Sequence, residues 1–195
     1  FNTRKQLVLK TMYAYIDRSG SLYDTECLSL FGTNSFNLVW EKICAEIMDN
    51  QLDVPLGILK LPVPLKEDYN RRQKLIELIE KPLWTITGKC AKDTLIPDLV
   101  SICKVNDQHQ FIIFDAKYYN AHLEKGIVPT GQPGIESITK QYLYQLAYQQ
   151  FIEDHNFSSV KNCFLLPTEN NEIEDKGEVR MEMLSNLGLQ DIKIR

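Results

Sequence analysis

The chain has little of what marks the commoner routes to function. Its 195 residues contain no apolar run long enough to cross a membrane and no N-terminal stretch ordered like a secretory signal, so a cytoplasmic location is expected. Cysteine is scarce and unpaired: Cys27, Cys44, Cys90, Cys103 and Cys163 are scattered, odd in number and free of C-x-x-C spacing. That excludes a disulfide framework and a zinc module and leaves buried, reduced thiols. His109, His122 and His155 show no ligand spacing either. No internal repeat, low-complexity tract or Gly-rich phosphate loop of the Walker type is present, which disfavours a nucleotide hydrolase. Excess positive charge is missing too. With 22 Lys and Arg against 26 Asp and Glu the net charge is −4, so nucleic acid cannot be held through overall charge. Local clusters would have to do so, and the candidates are Arg71, Arg72, Lys74, Lys89, Lys92, Lys104 and Lys125.

What is present is ordinary globular material, 44% hydrophobic and 25% charged, of a length that suits one domain with a sizeable core. A single domain over residues 1–195 is expected, with its core at about 36–167. The opening at Phe1 rather than Met leads to the expectation that it is part of a larger protein.

Periodicity supplies the elements. Residues 3–18 read as a first helix through Leu7, Met12 and Ile16, and residues 36–50 as a second, with Phe36, Trp40, Ile43 and Ile47 as its packing stripe and Asn34 or Ser35 as N-cap. Residues 51–65, with three prolines, look like an elaboration outside the core, and Arg71, Arg72 and Lys74 open a helix expected within 65–81. Residues 95–103 and 111–117 read as strands, with Asn106 and Asp107 supplying turn chemistry between them. Residues 135–155 form a helix whose packing residues are Ile138, Tyr142, Leu146 and Phe151, and its remaining face is dense in Gln and Tyr. A strand over 160–166, a polar loop over 168–178 and short strands at 178–183 and 190–195 complete the chain. The implied class is α/β (α+β): one mixed sheet with helices packed against it.

The chemistry sits where two strands leave this core. Along 111–117 side chains alternate, so Phe111, Ile113, Asp115 and Lys117 share one face while Ile112, Phe114 and Ala116 share the other. A hairpin can bring Asp98, which follows Pro97, beside Asp115. Two carboxylates that close repel, and one is protonated unless a cation lies between them. Mg²⁺ resolves the conflict, with Mn²⁺ expected to substitute. Asp98, Asp115 and a main-chain carbonyl such as that of Ala116 would supply oxygen ligands and leave positions for water and phosphate. Lys117 would then orient the attacking water or help deprotonate it, and offset charge developing on phosphate oxygens. A purely structural role gives no reason to place two carboxylates and a lysine there. A nuclease-fold module that binds nucleic acid or a partner without cutting is the alternative, and a phosphatase acting on a small substrate is a third reading.

Pro97-Asp98 with Asp115-Ala116-Lys117 resembles the signature of the PD-(D/E)xK nuclease superfamily, whose core runs helix, three strands, helix, strand, the order expected here with an extra N-terminal helix. At a finer level Asp115-Ala116-Lys117-Tyr118-Tyr119, Gly131-Gln132-Pro133-Gly134 and the segment Thr139-Lys140-Gln141-Tyr142-Leu143-Tyr144-Gln145 are similar to the catalytic part of LlaJI-type restriction endonucleases. The resemblance implies a restriction-endonuclease-like core and Mg²⁺-dependent cleavage of double-stranded DNA. It also implies DNA recognition in a separate domain or subunit, and a modification methyltransferase in the same system. In several superfamily members a glutamate on the first core helix completes the metal site; Glu41 is assigned that role here, with Glu46 on the other edge of the stripe. Some branches carry Q-x-x-x-Y on the second core helix, its Gln touching metal-bound water or DNA. Gln141 takes that place, although Gln145 stands where the Tyr would be.

Overall fold

A computed structural model describes residues 35–168 and 173–195, which belong to a compact unit spanning Ser35–Arg195. The helix expected over residues 3–18, and Cys27, lie outside the described residues.

The hairpin that carries the candidate site is built first by its turn. Asn106 and Asp107 have φ of 50° and 63°, the paired left-handed conformation of a two-residue connection whose twist matches its strands, and both side chains tolerate it. The strands it joins, β3 (Leu99–Val105) and β4 (Gln108–Ala116), pair antiparallel with Leu99 opposite Phe114 and Val100 opposite Ile113. β3 starts four residues later than the sequence suggests. Leu95 to Asp98 stay outside the ladder, and Pro97, with no N–H to donate, lies in that lead-in.

Helix α1 (Phe36–Ile47) precedes the hairpin, and α2 (Ile135–Asp154) follows it and leads into β5 (Ser159–Leu165), which pairs parallel to β4. With β6 (Glu178–Val179) and β7 (Ile192–Ile194) the five-stranded sheet runs β3-β4-β5-β7-β6. A separate ribbon of β1 (Leu83–Trp84) and β2 (Lys89–Cys90) stands before β3, so two of the strands preceding α2 lie in the main sheet and two outside it. The architecture is the expected mixed sheet flanked by helices.

The two faces of β4 divide the core as alternation requires. Phe111 and Ile113 pack with Val100, Ile102, Tyr144, Tyr148 and Phe151 on the α2 side; Phe114 and Ala116 pack with Leu99, Cys44 and Trp40 on the α1 side. Leu99, Val100, Phe111 and Ile113 are fully buried, each stabilising the fold by about 2 kcal/mol of apolar transfer.

Several expectations need correction. The inward stripe of α1 is Trp40, Cys44 and Met48, and Ile47 is exposed, because the helix ends before Asp49, whose φ of 54° breaks it. Residues 51–65 are not outside the core, since Leu52 and Leu56 are buried in its main cluster. No helix forms over 65–81; there is a short 3₁₀ turn at Leu75–Leu78. The N–H groups of Leu75 and Ile76 donate to the carbonyls of Val54 and Leu52, and Leu56 N–H to that of Gln73, so tertiary pairing replaces the helical ladder. Of the four described cysteines, all free, Cys44 and Cys163 are buried while Cys90 is exposed. Among the described residues no helix is long and apolar enough to cross a membrane.

Candidate active site

Asp98 is the residue before β3, Asp115 the penultimate residue of β4, and Lys117 the first after it. Antiparallel register therefore places all three at one end of the hairpin, on the α2 face. Asp98 accepts a 2.8 Å hydrogen bond at Oδ2 from the backbone N–H of Ala116. Lys117 Nζ lies 2.8 Å from Asp115 Oδ2 and 4.0 Å from Asp98 Oδ2. The side chains of Asp98 and Lys117 are each 21% exposed and that of Asp115 7%, so the group is open to water on one side only.

Burial, together with the charge of Asp115 and a hydrogen bond to it, pushes the Asp98 carboxyl up to about 7 against the pull of Lys117. Burial alone would lower the Lys117 pKa, but the hydrogen bond and charge of Asp115 and the charge of Asp98 outweigh it and raise it. The lysine is therefore a fixed cation, suited to orienting water or holding a phosphate oxygen rather than to taking a proton.

The lead-in carrying Asp98 is tied down by Tyr144, whose hydroxyl donates to the Ile96 carbonyl at 3.0 Å. Burial, then the nearby Asp115 and Asp98 charges, raise the pKa of that hydroxyl, keeping it a donor. Sequence reasoning placed Tyr144 among the residues of a polar face; its i+3 spacing from Gln141 was the signal that it shares the inner face of α2.

Gln141 is fully buried and donates through Nε2 to the Ile113 carbonyl at 2.9 Å, two residues before Asp115, while its Oε1 has no partner. It stands under the site strand rather than at the open carboxylates. Glu41 is not gathered with the aspartates: among the described residues no group of three His, Cys, Asp or Glu side chains is close enough to hold a metal. The reason is the layering. α1 packs on the face of Phe114 and Ala116, opposite to that of Asp115 and Lys117. Glu41 does remain near the site through Cys44, a thiol pushed up to about 11 by burial and by the charges of Asp98 and then Glu41. Glu46 is exposed.

Compared with known proteins, residues 1–193 match the LlaJI restriction endonuclease family. The chain belongs to that family. It is also similar to the Type II restriction enzyme BsuMI component YdjA of Bacillus subtilis (strain 168), with 29% identity over 168 residues. That match covers 84% of this chain but 31% of the relative, so the chain spans about a third of the relative's length. No solved structure matches significantly.

Proposed function

We propose that this chain is the cleavage domain of a metal-dependent DNA endonuclease in a restriction-modification system, hydrolysing phosphodiester bonds of double-stranded DNA. The observation that carries this reading is the meeting of Asp98, Asp115 and Lys117 at the end of one hairpin, on a chain of a restriction endonuclease family.

The donor set fits Mg²⁺, or Mn²⁺ in its place. Two hard carboxylates stand in contact at a half-open edge, and burial followed by the charge of Asp115 raises the Asp98 pKa, a conflict that a bound cation would relieve. Asp98 and Asp115 would hold the ion, with the Ala116 carbonyl as a third oxygen. When bound there, Mg²⁺ supplies positive charge against the scissile phosphate and acidifies water. Lys117 orients the water and stabilises charge on the non-bridging oxygens. Attack at phosphorus breaks the bond to the 3′-oxygen, which leaves with a proton as a hydroxyl, and the 5′-phosphate stays on the other fragment. Glu41 adds negative charge from behind Cys44 without direct coordination, and Gln141 holds the site strand by its bond to Ile113.

The relative's description as an enzyme component supports a multi-part system. A DNA-recognition domain or subunit and a modification methyltransferase are the partners proposed. The test is incubation of the purified chain with plasmid DNA and Mg²⁺, beside an Asp115→Ala protein. Cutting that vanishes in chelator and in the variant, and returns with Mg²⁺ or Mn²⁺, supports the reading. Undiminished cutting in excess chelator overturns it.

A further inference from the structure

Residues 81–92 carry Lys81, Lys89 and Lys92 and not one Asp or Glu, in a chain whose net charge is −4. They form the β1–β2 ribbon, where Leu83 faces Cys90 and Trp84 faces Lys89, and among the described residues the ribbon pairs with no other strand. Its loop is closed by the N–H groups of Thr87 and Gly88 donating to the Trp84 carbonyl, with Gly88 at a φ of 63° that a side chain would resist. Its stem is closed by the Ala91 N–H on the Pro82 carbonyl and by Lys81 Nζ on that of Lys92.

Every residue from 81 to 90 is exposed, including Leu83, Trp84 at 65% and Ile86 at 99%. A free two-stranded ribbon that holds its shape yet shows a tryptophan and an isoleucine to water is poorly served by solvent. None of its three lysines makes an ion pair among the described residues; Lys81 Nζ is held by the Lys92 carbonyl and keeps two further N–H donors for an anion.

The ribbon is also close to the site by covalent necessity. Lys92 is six positions before Asp98, a length that spans at most about 22 Å; Lys89, nine positions before it, is bounded at about 32 Å in the same way. Both limits are shorter than one turn of duplex DNA, roughly 34 Å. A duplex lying at Asp98 therefore passes within a turn of these lysines.

We propose that the β1–β2 ribbon is a duplex-binding element, with Lys81, Lys89 and Lys92 on backbone phosphates and Trp84 and Ile86 against the sugars and base edges of a groove. Three cations within the ribbon, against Glu80 and Asp93 just outside its two ends, favour a polyanion over a protein partner, and the apolar tip suits the wall of a groove. The inference rests on the proposed action on double-stranded DNA, but it is read out by binding, which needs no cutting.

The experiment measures fluorescence anisotropy of a labelled 30-base-pair duplex with the chain in chelator, at a series of salt concentrations. The protein, a Lys81→Ala/Lys89→Ala/Lys92→Ala variant, a Trp84→Ala/Ile86→Ser variant and a Lys60→Ala control are compared, with thermal melts confirming that each is folded. The slope of log affinity against log salt should shrink by roughly 2 to 3 in the triple lysine variant, at about 0.9 per phosphate contact. The apolar variant should bind at least tenfold more weakly with its slope kept, and Lys60→Ala should match the parent. Trp84 emission should also be shielded from iodide by duplex. Unchanged affinity and slope in both ribbon variants overturn the proposal and leave the ribbon to a protein partner, and failure of the parent to bind duplex even at low salt overturns it too. Binding that depends on the ribbon in a protein that never cuts would instead defeat the nuclease reading and leave this one standing.

Discussion

The backbone N–H of Ala116 donates to the carboxylate of Asp98, fastening the residue before β3 to the last residue of β4 at 2.8 Å. One atom pair thus holds the two halves of the proposed site together. Because the donor belongs to the main chain, the arrangement depends little on side-chain identity at 116, and Asp98 arrives beside Asp115 before any ion or substrate does.

Alanine at Asp98, Asp115 or Lys117 should each remove most DNA cleavage while the protein stays folded. For Lys117→Ala the expected loss is on the order of 10²–10³ in rate, the size found when one preorganised donor to a developing anion is deleted. Plasmid nicking rates beside thermal melts measure this. A Lys117→Ala protein that cuts at the parental rate would sink the mechanism.

The Asp98 carboxyl also predicts how the metal-free protein responds to pH. Its folded pKa is about 7, raised by burial and then by Asp115, whereas an unfolded aspartate titrates near 4. Between those values the folded chain keeps a proton that the unfolded chain has lost, so stability falls as pH rises through that window. In chelator the melting temperature should drop between pH 5 and 7.5 by about a few degrees more for the parent than for Asp98→Asn. Mg²⁺ at pH 7.5 should recover much of that loss in the parent alone. Parallel pH curves for the two proteins would contradict the assignment.

Tyr144 tests whether the lead-in to Asp98 must be held. Tyr144→Phe keeps the ring in the core and removes the bond to the Ile96 carbonyl, which should cost about 1 kcal/mol by urea unfolding. Because Asp98 is two residues further on, kcat should fall more than KM rises. Stability lost with kcat unchanged would make the tyrosine a packing residue only.

Gln145 accepts from the Asn162 amide at 2.7 Å and from the Gln190 N–H at 3.0 Å, all beneath α2. Gln145→Ala should destabilise by about 2–4 kcal/mol, since Asn162 is fully buried and would lose this acceptor. Adding Asn162→Ala should cost less than it does in the parent. Strictly additive losses in a denaturation cycle would show that the two side chains do not act as a unit.

Much of the hairpin was legible because its cues are local. The apolar run ending in Asp115, the Asn106–Asp107 turn and the proline before Asp98 point to two strands and the meeting of the carboxylates, all within about twenty residues. The inner face of α2 was not legible. Gln141, Tyr144, Gln145 and Tyr148 belong to the stretch dense in Gln and Tyr, yet all are buried, their polar atoms directed in part to sheet carbonyls and to Asn162. Only the fold supplies those partners, so polarity along the sequence does not show which face of α2 turns inward. The segment over 65–81 failed for a related reason, its backbone groups being claimed by residues 52–57, which no local pattern announces. Glu41 was placed by analogy, and α1 packs on the face of Phe114 and Ala116, opposite to that of Asp115.

The strand that carries Asp115 is paired on both edges over most of its length, antiparallel to β3 through residues 108–114 and parallel to β5 through residues 110–116, and its line continues through the Lys117 N–H on the Leu165 carbonyl. Such a strand has no cheap way to open alone. Its amides should exchange with solvent only when the entire unit unfolds, at the slow limit of the molecule, while those of residues 81–92 exchange through local opening. Any rearrangement that grips and releases a substrate must therefore be made by the segments around this strand, with the carboxylates and lysine acting as the stationary jaw.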